Sequence, residues 1–552
     1  MAQIQVSNLT FGYEGSFDNI FENASFSIDT NWKLGFIGRN GKGKTTFLRL
    51  LLGDYEYQGS IRSSTAFDYF PYQVQAWDMQ ENAVDLLKKW KADSELWRVC
   101  CEMEELHLAA ELLYRPFGTL SHGERTKLML AVLFSGENDF LLIDEPTNHL
   151  DQDSRESVKE YLSRKKGFIL VSHDRDLLDG CIDHVLVLNR CSIEVQSGNF
   201  SIWWENKSRK DAFSKMENEK HKREIEELRR ASKRSRAWAD KNEKTKIGFH
   251  PIKEHDRSIS TRAYIGAKTK KMQSRVRQFE RRMERKIEEK EGLLKDIEAP
   301  VDLKLTPIRH HKEVLISGRK YGIMYPQAQN AVFENLNFTL RQGERIFLHG
   351  RNGCGKSSLI RGILRHAMSE DVQCFETAKA RALFLAQSCQ NSPYFPVCEQ
   401  KEWGVQEIGE LRTAPGLMIS YVNQDTSFLQ GTIKNFCAQR NLDESLFCAI
   451  LCQLDMERGQ FVKNMEEYSE GQKKKVLIAA SLLTPAHLYI WDEPLNYIDV
   501  FSRMQIEKLI LEYQPTMLVV EHDVRFREKI ATQVLQLDAQ NDSAAENTTA
   551  IF

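Results

Sequence analysis

The chain carries nearly the same glycine-rich octapeptide twice, GRNGKGKT at residues 38–45 and GRNGCGKS at residues 350–357. Both fit G-x-x-x-x-G-K-[S/T], a loop whose backbone N–H groups close around the phosphates of a nucleotide. In that pattern Lys44 and Lys356 reach the β- and γ-phosphates, and Thr45 and Ser357 bind Mg²⁺. KLGFIG and RIFLHG precede the two copies and read as short buried strands, while TTFLRLLLG and SSLIRGILR follow and read as helices. Strand, loop and helix is the setting phosphate binding needs, because the helix N-terminus adds partial positive charge. A chain built this way is confined to an α/β architecture with two nucleotide-binding halves.

The repeat extends beyond the loops. Phe21 and Phe333 each lie 23 residues before the loop lysine, within IFENASFSI and VFENLNFTL. FLLIDEPTNHLD (140–151) is echoed by LYIWDEPLNYID (488–499). Four apolar residues followed by Asp-Glu read as a buried strand ending in two carboxylates. Asp144 and Asp492 then serve Mg²⁺, and Glu145 and Glu493 polarise an attacking water. LSHGER and YSEGQK place Ser121 and Ser469 23 residues before each Asp. ILVSHD and LVVEHD place His173 and His522 28 and 29 residues after each Glu. Surface acids capping a strand, or a lone structural histidine, would not recur at matched offsets.

Composition sets the class. The 552 residues are enough for two to four domains, and 41% hydrophobic with 28% charged residues is ordinary for a globular chain. Eleven cysteines without a CxxC pair read as reduced thiols of a cytoplasmic protein. The opening MAQIQVSNLT has no signal-peptide pattern, and no run of 18 apolar residues occurs, so no membrane span is expected. Charge is uneven: residues 205–300 hold 29 Lys+Arg against 18 Asp+Glu, and the remainder 47 against 60. The middle segment is suited to an anionic partner, although a solvated helical face carries the same signal.

Taken together, phosphate loop, Ser-x-Gly-[Glu/Gln], apolar-Asp-Glu and His resemble the ATP-binding cassette, over about four-fifths of the chain. The resemblance implies two tandem α/β cassettes paired head to tail, each ATP lying between one half's phosphate loop and the other half's signature. One site would combine Gly38, Asn40, Gly41, Gly43, Lys44, Thr45, Thr46, Asp144, Glu145 and His173 with Ser469 and Gly471. The other would combine Gly350, Asn352, Gly353, Gly355, Lys356, Ser357, Ser358, Asp492, Glu493 and His522 with Ser121 and Gly123. Tyr13 and Tyr325 would stack on adenine, and Gln73 and Gln424 would sense Mg²⁺ and the γ-phosphate.

Without membrane spans, zinc cysteines or an N-terminal cysteine cluster, the closest resemblance is to the ABC-F family. TNWKLGFIGRNGKGKTT, YRPFGTLSHGE, GFILVSHDR, GNFSIW, LYIWDEPLNYIDVF and MLVVEHD are similar to the Lsa-type antibiotic-resistance members. This implies a cytoplasmic ATPase with no obligate protein partner, a monomer that binds the E site of the bacterial ribosome in its ATP state. Its joining arm would extend past P-site tRNA toward 23S rRNA at the peptidyl-transferase centre. There it would displace lincosamides, streptogramin A compounds and pleuromutilins. A general translation factor relieving stalled ribosomes and an exporter's ATPase subunit are the alternatives.

Three segments are thus expected: a first cassette over residues 1–205, a helical linker over 206–300, and a second cassette over 301–540. In the linker, Phe213, Met216, Ile225 and Leu228, then Met272, Val276, Phe279, Met283, Ile287, Leu294 and Ile297, recur at helical spacing. Two antiparallel arms of ~30 residues at about 1.5 Å per residue reach roughly 45 Å. The basic tip holds Trp238, Lys244, Lys246, Phe249, His250, Arg257, Arg262 and Tyr264, residue types that meet phosphates and stack on bases. A flexible connector is the competing reading.

Several departures mark the repeat. His122 and Glu470 occupy signature positions that usually hold Gly, and Leu495 replaces Thr147 in the second copy, so the sites are expected to turn over unequally. Lys356 to Gln424 spans 68 residues against 29 from Lys44 to Gln73, an insertion at about 368–412. Residues 541–552 read as a disordered tail.

Overall fold

The first half opens with β1 (Gln3–Phe11) and β2 (Phe21–Asp29), an antiparallel pair running from Gln3 opposite Asp29 to Phe11 opposite Phe21. β3 (Lys33–Ile37) leads into the phosphate loop and α1 (Lys44–Leu52), and β4 (Gln58–Arg62) returns to pair with β1. The main sheet adds β5 (Ala66–Phe70), β6 (Asp139–Asp144), β7 (Phe168–Val171), β8 (His184–Leu188) and β9 (Ile193–Ser197). Its order is β5-β6-β7-β3-β8-β9, parallel throughout except for β9. Helices α2 (Ala83–Trp90), α3 (Leu96–Glu105) and α4 (His122–Phe134) fill the interval between β5 and β6. α5 (Gln152–Arg164) and α6 (Arg175–Cys181) make the crossovers beyond β6 and β7.

Apolar runs explain these strands. FLLI in β6 and FILV in β7 are buried along their length, as strands covered on both faces must be. On α1, Phe47 packs edge-on against Phe21 and Phe36, fixing the helix that follows the phosphate loop against both sheets.

The joining segment begins with α7 (Phe200–Lys244), 45 residues or about 68 Å of helix. Residues Met1–Ser201 with Pro300–Phe552 form one compact unit and Ile202–Ala299 a second. In the second unit Ile225 and Met283 are buried, whereas Phe213 and Met216 are 60% and 70% exposed, so the expected apolar stripe is only partly covered. The structure describes residues 3–13, 19–39, 41, 43–92, 94–136, 139–148, 150–188, 193–244, seven positions between 274 and 285, 305–326, 330–373, 405–537 and 548–550. Most of the return arm and the basic tip from Lys246 to Tyr264 lie outside them, as does Asn40.

The second half repeats the first. β10 (Val314–Met324), β11 (Phe333–Arg341) and β13 (Gln406–Thr413) form a three-stranded antiparallel sheet in the order β11-β10-β13. β12 (Arg345–His349) leads into the second phosphate loop and α8 (Lys356–Gln373). β14 (Ile419–Val422), β15 (Leu488–Asp492), β16 (Met517–Val520), β17 (Gln533–Gln536) and β18 (Thr548–Ala550) complete a sheet in the order β14-β15-β16-β12-β17-β18. The helical interval holds α9 (Ile433–Gln439), α10 (Glu444–Gln453) and α11 (Glu470–Leu483), and α12 (Val500–Tyr513) and α13 (Val524–Ile530) make the crossovers.

Two expectations are corrected in this computed structural model. The stretch 368–412 is not all insertion: β13 is the counterpart of β4, paired with β10 as β4 pairs with β1. Part of the extra length is helix, 18 residues in α8 against nine in α1, and the rest falls at 374–404, outside the described residues. The tail is not disordered throughout, because Thr548–Ala550 pairs antiparallel with Gln533–Leu535 as β9 does with β8. An open sheet edge offers unpaired N–H and C=O groups, and a Thr-Thr-Ala segment has the β-branched content to take them.

Candidate nucleotide sites at the cassette boundary

Each phosphate loop is closed on itself by its lysine. Lys44 Nζ donates to the carbonyl oxygens of Gly38 (2.7 Å) and Arg39 (3.3 Å), and Lys356 Nζ to those of Gly350 (2.6 Å) and Arg351 (3.0 Å). Gly43 and Gly355 sit at φ +102° and +100°, and a Cβ there would stand 2.5 Å from Ile20 or 2.7 Å from Val332. The loop therefore needs glycine for backbone conformation and for space.

Strand ends bring the acids in. Thr45 Oγ1 donates to Asp144 Oδ2 at 2.8 Å, and Ser357 Oγ to Asp492 Oδ2 at 3.2 Å. Glu145 and Glu493 follow at φ +51° and +47°, left-handed conformations rare for a glutamate and concentrated at functional sites. His173 Nε2 lies 3.4 Å from Glu145 Oε1, and His522 Nε2 lies 3.8 Å from Glu493 Oε1. Tyr13 and Tyr325 hydroxyls pair at 2.9 Å with the Thr46 and Ser358 hydroxyls.

Burial dominates the electrostatics. Asp492 is pushed up to about 6 by burial and by Glu493 beside it, and Glu145 up to about 8 by burial and by Asp144. His522 is lowered to about 3 by burial and Lys356, and His173 is lowered by burial and Lys44. Both imidazoles are neutral at pH 7, able to donate from one nitrogen and accept at the other.

The signature serines cap helices. Ser121 caps α4 by accepting from Glu124 N, while Glu124 accepts from Ser121 N; Ser469 and Gln472 repeat the box on α11. Gly471 packs so tightly that a Cβ would meet the Tyr497 carbonyl at 2.7 Å, and at Gly123 it would meet Ser154 Oγ at 3.0 Å.

The halves meet head to tail. A cleft of about 530 Å³ is lined by Tyr325, Asn352, Gly353, Lys356, Ser357, Ser358, Gln424, Glu493 and His522 of the second half. His122, Leu150 and Arg155 of the first half line the same cleft. Arg351 pairs with Asp153 at 3.3 Å and His349 Nε2 contacts Gln152 Oε1 at 2.6 Å on that side. On the other side Arg39, in the first phosphate loop, pairs with Asp455 of the second half at 3.0 Å.

Not every sequence expectation falls together. Gln424 Nε2 donates to Glu493 Oε2 at 2.8 Å. Gln73 instead stands exposed, and strand register explains it: Phe70 pairs with Ile143 as Val422 pairs with Trp491, so Tyr72 holds the place of Gln424. Tyr72 turns to Asp68 (2.9 Å) and stacks on Trp90. Glu470 is tied within its own half by Thr426 and Lys473. Sequence reasoning passed over Tyr69, whose hydroxyl donates to Asp144 Oδ2 at 3.2 Å, because an aromatic residue in a strand reads as core.

The donor set fits a nucleotide and its cation. Among the described residues, Glu145 Oε1 and His522 Nε2 are buried without a hydrogen-bond partner, a costly condition that a bound water would relieve at the carboxylate and a phosphate oxygen at the imidazole.

A family model described as ABC transporter matches residues 21–148 and 333–496. The chain is 26% identical to Ribosome protection protein VmlR of Bacillus subtilis (strain 168), over 95% of this chain and 85% of that protein. It is 22% identical to ABC transporter F family member 2 of Arabidopsis thaliana, over 97% and 76%. A chain from the crystal structure of archaeal ribosomal stalk protein aP1 with archaeal ribosome recycling factor aABCE1 matches with TM-score 0.55 and 17% identity, over 96% of this chain and 87% of that one, a likeness of fold. With both matched regions on the two halves described above, the chain belongs to the ABC transporter family, in its ABC-F branch, and is an ATPase.

Proposed function

We propose that this ATPase binds the bacterial ribosome from the cytoplasm and protects it from antibiotics of the peptidyl-transferase centre. The observation that supports this most is likeness to a ribosome protection protein along 95% of the chain, linker included. No helix among the described residues is long and apolar enough to cross a membrane.

In this reading ATP draws the halves together. Each nucleotide is held by one phosphate loop and by the opposite signature, Ser469 and Gly471 at the first site and Ser121 and Gly123 at the second. Lys44 and Lys356 leave their loop carbonyls for phosphate oxygens. Thr45 with Asp144, and Ser357 with Asp492, would hold Mg²⁺, which supplies charge neutralisation on the phosphates. Glu145 and Glu493 orient water, and His173 and His522 contact the γ-phosphate. The closed chain occupies the E site, and its linker tip, including Trp238, Lys246 and Arg257, reaches rRNA near P-site tRNA. Lincosamides, streptogramin A compounds and pleuromutilins are the drugs excluded.

The test is sedimentation. Glu145→Gln with Glu493→Gln keeps the phosphate-binding groups and removes both water-orienting carboxylates. With ATP, that variant should accumulate on ribosomes and hydrolyse at least tenfold more slowly than the parent, about 1.4 kcal/mol or more in barrier. Normal cycling would overturn the glutamate assignment, and absence from the ribosomal pellet would overturn the ribosome reading.

A further inference from the structure

Three positions around the catalytic loops differ together between the halves. Counted from the capping serines, Lys474 stands where Thr126 does; counted from the histidines, Glu521 stands where Ser172 does; counted from the carboxylates, Leu495 stands where Thr147 does. The first half thus has three hydroxyls, and the second has an ammonium, a carboxylate and an apolar side chain. Lys474 and Glu521 are 3% and 4% exposed, depths at which an unpaired charge is rare.

Glu521 faces the loop that carries Glu493. Its Oε2 accepts from Leu495 N at 3.1 Å, two residues past Glu493, and its Oε1 accepts from His522 N at 2.8 Å. Lys474 Nζ donates to the Asn423 carbonyl at 2.9 Å, beside Gln424. Gln424 and Asn496 both donate to Glu493 Oε2, at 2.8 and 2.7 Å. Among the described residues the first half shows no such brace on its glutamate: Ser172 Oγ accepts from Asp174 N, and Glu145 meets His173 at 3.4 Å from both its N and its Nε2.

We propose that Glu521 is a positioning residue for Glu493, so that the second ATP site hydrolyses faster than the first. The inference rests on Glu145 and Glu493 being the water-orienting groups. A fixed carboxylate enters the reaction already placed, whereas a loosely held one must be ordered first.

The experiment uses the full chain in two backgrounds, Glu145→Gln to isolate the second site and Glu493→Gln to isolate the first. The Glu145→Gln protein should hydrolyse ATP faster. Adding Glu521→Ser to it should lower kcat about tenfold with little change in KM, since the group acts on the nucleophile's placement and not on nucleotide binding. Equal rates in the two backgrounds or an unchanged kcat in Glu521→Ser would each overturn the proposal. If Glu521→Ser does not fold, Glu521→Met, which keeps the length and removes both acceptor oxygens, replaces it under the same criteria. Should both single backgrounds hydrolyse like the parent, the glutamate assignment fails instead, separately from the role of Glu521.

Discussion

Arg175 and Glu507 form a buried ion pair across the boundary between the two cassettes, their side chains 2% and 5% exposed. Arg175 opens α6, two residues past His173, and Glu507 lies on α12 with Lys529 at 3.2 Å. The pair fastens the loop bearing the first site's histidine to the opposite half.

Breaking one partner leaves a charge without compensation. Arg175→Ala should cost about 3–5 kcal/mol, whereas Arg175→Met with Glu507→Leu should cost much less. Urea unfolding of the three proteins checks this, and similar losses in single and double variants would contradict it.

Signature packing gives a second prediction. A methyl group at Gly471 meets a backbone carbonyl, while one at Gly123 meets a serine side chain able to rotate away. Gly471→Ala should lower ATP hydrolysis by about tenfold, in line with the roughly 1–3 kcal/mol of overpacking, and Gly123→Ala by less. Steady-state kcat and KM of the two variants decide it.

Acid should destabilise the fold partly through His522. Its folded value of about 3 lies below the ordinary 6.5, so as pH falls through 6.5 the unfolded chain takes up a proton that the folded one refuses. Stability from this group is complete above pH 6.5 and declines by about 1.4 kcal/mol per unit below it, levelling near 3. Asp492 works in the opposite sense: its raised value stabilises the fold as pH drops from about 6 toward 3.8. Between pH 7 and 5, His522→Gln should therefore lose about 2 kcal/mol less stability than the parent. Urea midpoints at the two pH values test the difference.

Motifs that must bind phosphate were legible in the sequence because loop geometry restricts them to glycine, lysine and hydroxyl residues. The strands that aim Asp144 and Asp492 were legible as continuous apolar runs. What escaped depended on neighbours far along the chain. Gln73 looked equivalent to Gln424, yet one extra residue after β5 moves it away, and only strand pairing reveals that. β13 was hidden inside an apparent insertion because its partner β10 lies more than 80 residues earlier. Lys474 and Glu521 read as ordinary charged residues; their burial beside Glu493 is a tertiary property.

The most direct measurement of ribosomal protection is membrane-free translation on purified ribosomes inhibited by lincomycin or tiamulin. Adding the protein with ATP should restore peptide synthesis, and the Glu145→Gln, Glu493→Gln variant should bind those ribosomes without cycling. Binding without any rescue would contradict drug protection and leave a general translation factor, and neither binding nor rescue would contradict the ribosomal account as a whole.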